Sequence, residues 1–178
     1  MFDLSPVLDQ LSVPGNFDIA VPEYFNFGVD VIDARAADGD KTAYIWVDRS
    51  GSVVEHHSFS DLSQASTRFA NVLHQIGARK GDCAVVIMPR VPAWYEVVIG
   101  CIKAGVVAMP GTNLLTAKDI EYRINKSNAT VAVVSMEHVS KIETIKDHCP
   151  TLQHLILIGG EQDRWISYDK ACAEAGAQ

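Results

Sequence analysis

The sequence predicts an α/β fold: a doubly wound, mostly parallel sheet with flanking helices, preceded by an N-terminal helix and a β-hairpin. Short apolar runs alternate with amphipathic helical patterns from Phe59 onward, and proline or glycine stands at most junctions. Around the segment 88–124, two apolar runs at residues 85–88 and 106–109 are joined by an apolar helical segment at residues 94–104. Two strands joined in this way form a βαβ unit, which requires a parallel sheet with helices on its faces.

The chain before this alternating region has a different pattern. Residues 1–21 are mixed and interrupted by prolines, and we expect an extended arm there. Pro22 begins a helical pattern that ends at residues 38–40. Residues 43–47 and 53–58 flank an Arg-Ser-Gly-Ser turn and predict a hairpin. Residues 22–178 are expected to form a single α/β unit.

The alternating region starts with a helix after the hairpin. Ser60 is its predicted N-cap, and Gly77 is expected to end it after one continuous apolar stripe. Residues 83–88 then predict the first parallel strand. Pro92 starts the next helix and Gly105 ends it. This helix is apolar on nearly all sides, so we expect it to be buried on more than one face.

The second half of the chain continues the same alternation. Residues 106–109 predict a second buried strand, and residues 110–113 a turn-rich exit from it. Thr116 and Asp119 have the spacing of a capping box at the next helix. Further strands are expected at residues 130–134 and 155–158, and Ser167 is the predicted N-cap of a last helix. The result is a sheet of about four parallel strands.

Composition excludes several classes of protein. The chain has 178 residues, of which 48% are hydrophobic and 21% charged, so a globular fold with a core is expected. The net charge of −7 argues against a nucleic-acid-binding surface, which needs a basic stripe to neutralise phosphates. No apolar run approaches the ~20 residues that span a bilayer. The acidic start of the chain resembles neither a secretory signal nor a transit peptide, and we expect a cytoplasmic protein.

No metal site is predicted. The four cysteines show no C-x-x-C spacing, and Cys83 and Cys101 lie in apolar runs, where reduced core cysteines are expected. His56 and His57 are neighbours in a predicted strand, so their side chains point to opposite faces. The histidines therefore do not form a set with the spacing of metal ligands.

The sequence also lacks a self-sufficient catalytic signature. It contains no G-x-S-x-G, H-E-x-x-H or G-x-G-x-x-G motif. Gly100 and Gly105 have the spacing of P-loop glycines, but two valines follow where lysine and serine or threonine are required. No Gly/Ser/Thr-rich phosphate loop occurs, so we assign no catalytic residue. Ligands of doubly wound sheets bind beyond the carboxyl ends of the strands, which here are residues 88–90, 109–113, 135–136 and 159–160.

Several segments resemble the N-terminal portion of AMP-forming acyl-CoA synthetases. The similar segments are YIWV at residues 44–47, RKGDCAVVIMPRVPAWYEVVIG at residues 79–100 and PGTNLLTAKDIEYRI at residues 110–124. The sequence is most similar to the medium-chain branch of this adenylate-forming superfamily, over about residues 20–175. The segment PGTNLLTAKDIEYRI is the most specific part of the resemblance.

The resemblance implies a two-step reaction in the complete enzyme. A carboxylate attacks ATP to give an acyl-adenylate and pyrophosphate, and the thiol of CoA then displaces AMP. ATP, Mg²⁺ and CoA would serve the complete enzyme, and no cofactor is assigned to this chain. The phosphate loop and the catalytic lysine of that family come later than the region represented here. The resemblance therefore implies a partner, the remainder of the synthetase.

Two residues are implied as a possible part of the CoA channel. In medium-chain relatives the loop after P-G-T borders this channel, and the position that contacts CoA corresponds to Leu114. In acetyl-CoA synthetases basic residues after the strand matching residues 131–134 hold a CoA phosphate, and the nearest basic residue here is Lys141. Other interpretations remain open at this stage: Lys141 on the polar face of a helix, Arg90 as a solvated residue, and Trp94 as a core aromatic.

Three hypotheses on function follow. In the first, the chain is the N-terminal subdomain of an acyl-CoA synthetase and is inactive alone. In the second, it is a stand-alone truncated synthetase that acts as an interaction or regulatory module. In the third, it is an unrelated nucleotide-binding α/β domain. An isolated piece of a synthetase is also expected to expose apolar surface and to self-associate.

Overall fold

The computed structural model describes residues 22–39 and 41–177, so the predicted arm at residues 1–21 lies outside the described part. A π-helix, Phe27–Asp33, leads directly into the first α-helix. The α-helices are α1 (Ala34–Ala37), α2 (Phe59–Gln75), α3 (Pro92–Ala104), α4 (Ala117–Ser127), α5 (Val139–Ile145) and α6 (Tyr168–Glu174). The strands are β1 (Thr42–Val47), β2 (Val54–Ser58), β3 (Cys83–Ile87), β4 (Val107–Gly111), β5 (Val131–Ser135), β6 (His154–Ile158) and β7 (Ile166–Ser167).

Five strands form one parallel sheet in the order β4-β3-β5-β6-β7, and β1 pairs with β2 in a separate antiparallel hairpin. The predicted fold class is therefore confirmed. The sequence prediction of about four parallel strands missed β7, because two residues are too few to show a periodic pattern.

The sheet separates two apolar cores. Along β3, Ala84 and Val86 face the core that contains α2, α3 and α6, whereas Val85 and Ile87 face the core that contains α4 and α5. These four side chains are at most 1% exposed. Successive strand residues point to opposite faces, and both faces of β3 are covered, so its sequence is a continuous apolar run.

The prediction of a second buried strand at residues 106–109 was wrong in two respects. β4 lies at the edge of the described sheet, where Val107 is 50% exposed, and it continues through Pro110 and Gly111. The backbone N–H of Val107 points toward β3, because it donates to the carbonyl of Asp82, the residue before β3, at 2.8 Å. Backbone N–H groups alternate in direction along a strand, so the nitrogen of Pro110, three residues later, faces the free edge of the sheet. The missing N–H of proline therefore removes no hydrogen bond between strands.

The first helix begins later than predicted. It starts after Asn26 and not at Pro22, because Asn26 supplies the cap. The Asn26 side-chain oxygen accepts from the Gly28 N–H at 2.9 Å, and its amide nitrogen donates to the Ile102 carbonyl, also at 2.9 Å. The same side chain thus caps the π-helix and fastens it to the end of α3.

The predicted N-cap of α2 was also displaced. Ser58, not Ser60, is the cap: its hydroxyl accepts from the Asp61 N–H at 3.1 Å, and Asp61 accepts from the Ser58 N–H at 2.9 Å. Such a capping box needs an acid three residues after the cap, and Ser60 has none. The capping box of Thr116 at α4 is confirmed. At α6, Ser167 occupies the cap position but makes no side-chain cap bond.

Helix α3 is covered on more than one side, as predicted, and no residue in it is exposed. Gly100 permits this packing, because a Cβ at this position would lie 2.8 Å from the Ser66 carbonyl of α2. Gly105 then ends the helix in the left-handed conformation, with φ of 71°.

A buried lysine joins α3 to the preceding elements. The Lys103 side chain is 6% exposed, and its ammonium lies 2.6 Å from an Asp33 carboxylate oxygen. It also donates to the Ser63 carbonyl at 2.9 Å and the Thr67 hydroxyl at 2.8 Å. All three ammonium donors therefore have acceptors, which is the condition under which a charge can be buried.

We predict that Lys103→Met lowers the free energy of unfolding by about 2 kcal/mol, because it leaves the Asp33 carboxylate without its cation, with the Ser63 hydroxyl still donating to it. Urea denaturation followed by circular dichroism measures this loss. Lys118→Met, at an exposed position, is the matched control and should stay within about 0.5 kcal/mol of the parent chain. Equal midpoints for the two variants would contradict the role given to Lys103.

Candidate functional site

The carboxyl ends of the strands form an open cleft. β3 leads to α3 on one face of the sheet and β5 leads to α5 on the other, so the connections diverge between these adjacent strands. A divergence of this kind is the usual ligand position in doubly wound sheets. The part of the cleft beside β3 and β4 has a volume of about 370 Å³ and is lined by Met88, Pro89, Arg90, Trp94 and residues 110–113.

The hairpin extends this cleft. The Trp46 indole N–H donates to the Arg90 carbonyl at 2.8 Å and so places β1 beside the end of β3. A second part of the cleft, about 590 Å³, lies between the hairpin and the strand ends, with Arg49, Arg90, Asn113 and Glu137 among its lining residues. The lining also includes Asp48, so two arginines and two acidic residues face this part of the cleft beside the Trp46 ring.

Aromatic stacking fastens the hairpin to α3. The Tyr44 ring lies 4.6 Å from the His57 ring and 4.6 Å from the Tyr95 ring, centroid to centroid. Burial, followed by the nearby charge of Glu96, raises the pKa of Tyr44 above its ordinary value. Tyr44 is therefore a neutral packing residue at physiological pH, and the hairpin has a defined position beside the cleft.

The structure brings both predicted channel residues to one loop, residues 111–115. Leu114 is 86% exposed and projects from the loop. The Lys141 ammonium of α5 donates to the Leu115 carbonyl at 2.7 Å and lies 3.4 Å from the Asn113 carbonyl. Lys141 thus binds the loop backbone, a role that the sequence did not indicate.

His138 is a site residue that sequence reasoning missed. It is 2% exposed, and its Nε2 lies 3.4 Å from the Asn113 side-chain oxygen and 3.5 Å from a Glu137 carboxylate oxygen. Its Nδ1 is buried and has no hydrogen-bond partner among the described residues. A neutral ring with the proton on Nε2 donates to Asn113 and leaves Nδ1 as a bare acceptor. The sequence pattern did not indicate this residue, because its contact with the loop joins positions 25 apart in the chain.

Burial lowers the pKa of His138, the charge of Lys141 lowers it further, and Glu137 acts in the opposite direction. The imidazole is therefore kept neutral beside the loop. Together, His138 and Lys141 hold residues 111–115 from the α5 side, which determines how the loop presents Leu114.

The described residues provide no assembled metal site, since no three His, Cys, Asp or Glu side chains group together there. In the same part of the chain, no helix has the length and apolar character needed to cross a membrane. The chemistry available at the cleft is binding by aromatic, amide, cationic and acidic side chains.

Comparison with known proteins identifies similar sequences. The family model described as AMP-binding enzyme matches residues 32–176. The mouse mitochondrial acyl-coenzyme A synthetase ACSM1 is 35% identical over 181 residues, which cover 94% of this chain and 31% of the relative. The human mitochondrial acyl-coenzyme A synthetase ACSM2A is 37% identical over 164 residues, or 87% of this chain and 28% of the relative. The chain thus spans about a third of the length of these curated relatives.

Solved structures share the fold. The anthranilate CoA ligase AuaEII, crystallised with anthranoyl-AMP, superposes with a TM-score of 0.78 at 23% identity and covers 89% of this chain and 30% of its own. An acyl-CoA synthetase from Brucella canis gives a TM-score of 0.77 at 22% identity, covering 100% of this chain and 31% of its own. The named curated relatives are mitochondrial, so the cytoplasmic location expected from the sequence stays a prediction.

We predict that Lys141→Met increases hydrogen exchange of the amides in residues 112–115 by about tenfold, because the loop loses a charge-assisted hydrogen bond. Exchange followed by mass spectrometry measures this change. Lys146→Met is the matched control, since Lys146 binds Glu143 and not the loop. Unchanged exchange in Lys141→Met would show that the loop holds its conformation without the lysine.

We predict that His138 makes stability depend on pH. Its pKa is lower in the folded chain than in the unfolded one, so the unfolded state binds more protons as the pH falls below about 6.5. The stability that the neutral ring confers is complete above this pH and is lost on acidification, by at most about 1.4 kcal/mol per pH unit. Urea denaturation at pH 7.5 and pH 5.5 should show a larger loss for the parent chain than for His138→Gln. Identical losses would refute this assignment.

Proposed function

The chain belongs to the AMP-binding enzyme family, and we propose that residues 22–178 supply the N-terminal α/β subdomain of an AMP-forming acyl-CoA synthetase. The complete enzyme would convert a carboxylate, ATP and CoA to acyl-CoA, AMP and pyrophosphate. The family match over residues 32–176 and the acyl-CoA synthetases at 35% and 37% identity support this proposal. The match covers 31% of the length of the mouse relative, which supports the proposal that these residues represent one subdomain of such an enzyme.

The observation that carries the proposal is the loop of residues 111–115 at the carboxyl edge of the sheet. This loop borders the cleft through Gly111, Thr112 and Asn113, and it exposes Leu114. We assign the loop to one wall of the CoA channel, with Leu114 offering an apolar contact surface. Lys141 shapes this wall by binding the loop backbone at 2.7 Å, so its N–H donors are used in part by carbonyl oxygens.

Arg90 is the cation better placed to meet a phosphate at this wall. It is exposed and lines both parts of the cleft, and among the described residues only its backbone carbonyl has a hydrogen-bond partner, the Trp46 indole. Arginine binds phosphate through several parallel N–H donors, which suits an anionic cofactor that enters along the strand ends.

The chain by itself is proposed to be inactive in adenylate formation. Transfer of a nucleotidyl group requires donors that stabilise the phosphate charge in the transition state, commonly backbone N–H groups of a Gly/Ser/Thr-rich loop. The sequence contains no such loop. ATP, Mg²⁺ and the acid would therefore be bound mainly by the remainder of the synthetase, which is the proposed partner of this chain.

We predict no ATP–pyrophosphate exchange by the chain with any fatty or aromatic acid, and binding of CoA that is local and weak. In ¹H–¹⁵N NMR spectra, millimolar CoA should shift amides of residues 111–115 and 136–141. Arg90→Ala should reduce these shifts, whereas Arg164→Ala, at an exposed position outside the cleft, should leave them unchanged. Exchange activity would disprove inactivity, and shifts confined to other regions would disprove the channel wall.

A further inference from the structure

Asn113 lies where the two parts of the cleft meet. It lines the strand-end part together with Arg90 and Thr112, and it also lines the part beside the hairpin. Its side chain is an amide, which presents the acceptor Oδ1 on one side and the donors of Nδ2 on the other. The orientation of this amide therefore decides whether a ligand in the cleft meets a donor or an acceptor.

His138 fixes the orientation of this amide. Its Nε2 lies 3.4 Å from the Asn113 Oδ1 and 3.5 Å from a Glu137 carboxylate oxygen. A carboxylate only accepts hydrogen bonds, so the proton of the neutral ring belongs on Nε2. The opposite tautomer would bury an N–H at Nδ1, which has no partner among the described residues, and a buried unpaired N–H is rarer in proteins than an unpaired acceptor. An Nε2–H requires an acceptor, and it therefore selects Oδ1 of Asn113 and not Nδ2.

The Asn113 side-chain nitrogen is then turned away from His138. It has no hydrogen-bond partner among the described residues, and it does not belong to their buried unpaired atoms. Asn113 is half-buried, so this nitrogen reaches solvent, and the surface that Asn113 forms there is the cleft. The Lys141 ammonium lies 3.4 Å from the Asn113 carbonyl, so the backbone and the side chain of Asn113 are both held before a ligand arrives.

The other polar side chains of the strand-end part indicate the class of ligand. Arg90 is an exposed cation, and the Thr112 hydroxyl accepts from the Leu114 N–H at 3.3 Å, which leaves its own proton to donate. Of the described residues, no carboxylate lines this part, whereas Asp48 and Glu137 line the part beside the hairpin. A cation, a hydroxyl and an amide nitrogen together suit a phosphate group, whose oxygens accept several hydrogen bonds.

We propose that Asn113 is a phosphate-binding residue of the strand-end part of the cleft, and that His138 is the positioning residue that turns its donors toward the ligand. The inference deepens the proposed function, in which the phosphate belongs to CoA, and it rests on that function only for the identity of the ligand. The contact of His138 with Asn113 is present in the chain without any ligand.

Titration of the chain with CoA and, separately, with inorganic pyrophosphate tests the proposal, followed through the ¹H–¹⁵N NMR signal of the Asn113 side-chain amide. Both ligands should shift this signal. His138→Met retains a side chain of similar volume but has no donor, so the amide loses its preferred orientation and both affinities should fall about fivefold. His138→Gln places an amide nitrogen near the position of Nε2 and should restore most of the affinity. His74→Met, at an exposed position outside the cleft, is the matched control and should bind as the parent chain does.

A double variant separates a positioning role from a purely structural one. Asn113→Leu removes the donors themselves, so the addition of His138→Met should weaken binding no further. Additive losses would overturn the positioning role. If His138→Met fails to fold, the ¹⁵N shifts of the His138 ring nitrogens in the parent chain report the tautomer, and a proton on Nδ1 would overturn the orientation.

The two ligands distinguish failure of this inference from failure of the proposed function. If CoA shifts the amides of residues 111–115 but binds the parent and His138→Met equally, the inference is wrong and the channel wall stands. If pyrophosphate shifts the Asn113 amide and CoA does not, the phosphate site stands and the CoA channel is wrong. If neither ligand shifts the Asn113 amide of the parent chain, the inference is overturned.

Discussion

Burial of β3 and β5 on both faces is the constraint on which the rest of the structure depends. An unpaired or uncovered strand in this position would expose backbone and apolar groups together, so helices must pack on each side of the sheet. β3 and β5 suit this position because their side chains are small or β-branched. Among them are Ala84, Val86, Ala132 and Val134, all fully buried. Because the helices after β3 and β5 leave to opposite faces, the same constraint also opens the cleft between their ends.

Buried and partly buried polar side chains attach the peripheral elements to this apolar centre. Lys103 joins α3 to Asp33 and to the backbone of α2, while Asn26 fastens the π-helix to the end of α3. Tyr168 of α6 donates to the Glu96 carboxylate of α3 in the same way. Apolar packing alone permits several orientations of a helix, whereas a satisfied polar contact selects one. Three elements distant in sequence thus converge on α3, the helix that is covered on several sides.

The loop of residues 111–115 has a backbone held by hydrogen bonds and an exposed side chain, Leu114. Lys141 holds its backbone and His138 contacts its Asn113 side chain, yet Leu114 is 86% exposed. A binding wall needs this combination, because a fixed backbone loses little entropy on binding while the exposed side chain makes the contact. The cleft also carries charges of both signs: Asp48 accepts hydrogen bonds from Ser50 and Val53 within the hairpin turn, and the Arg90 side chain is exposed at the strand ends.

The sequence by itself determined those features that arise from local interactions. The alternation of apolar runs with helical patterns predicted the parallel sheet, the Thr116 capping box was visible from spacing alone, and Gly105 marked a helix end. Where two local signals competed, prediction failed: Ser60 and Ser58 both suit a cap, and only the acid at Asp61 distinguishes them. The fold class was accessible because periodicity encodes burial directly.

Tertiary structure decided everything that depends on residues far apart in the chain. Strand order made β4 an edge strand, and only that order explains why Pro110 is accepted within it. The contacts of Lys141 with a loop 26 positions away, and the burial of His138, depend on how α5 packs beside β5. Sequence periodicity records which side of an element is buried but not which element covers it, so the sequence indicated the strand ends at residues 88–90 and 109–113 but not the contacts that join them to α5 and the hairpin.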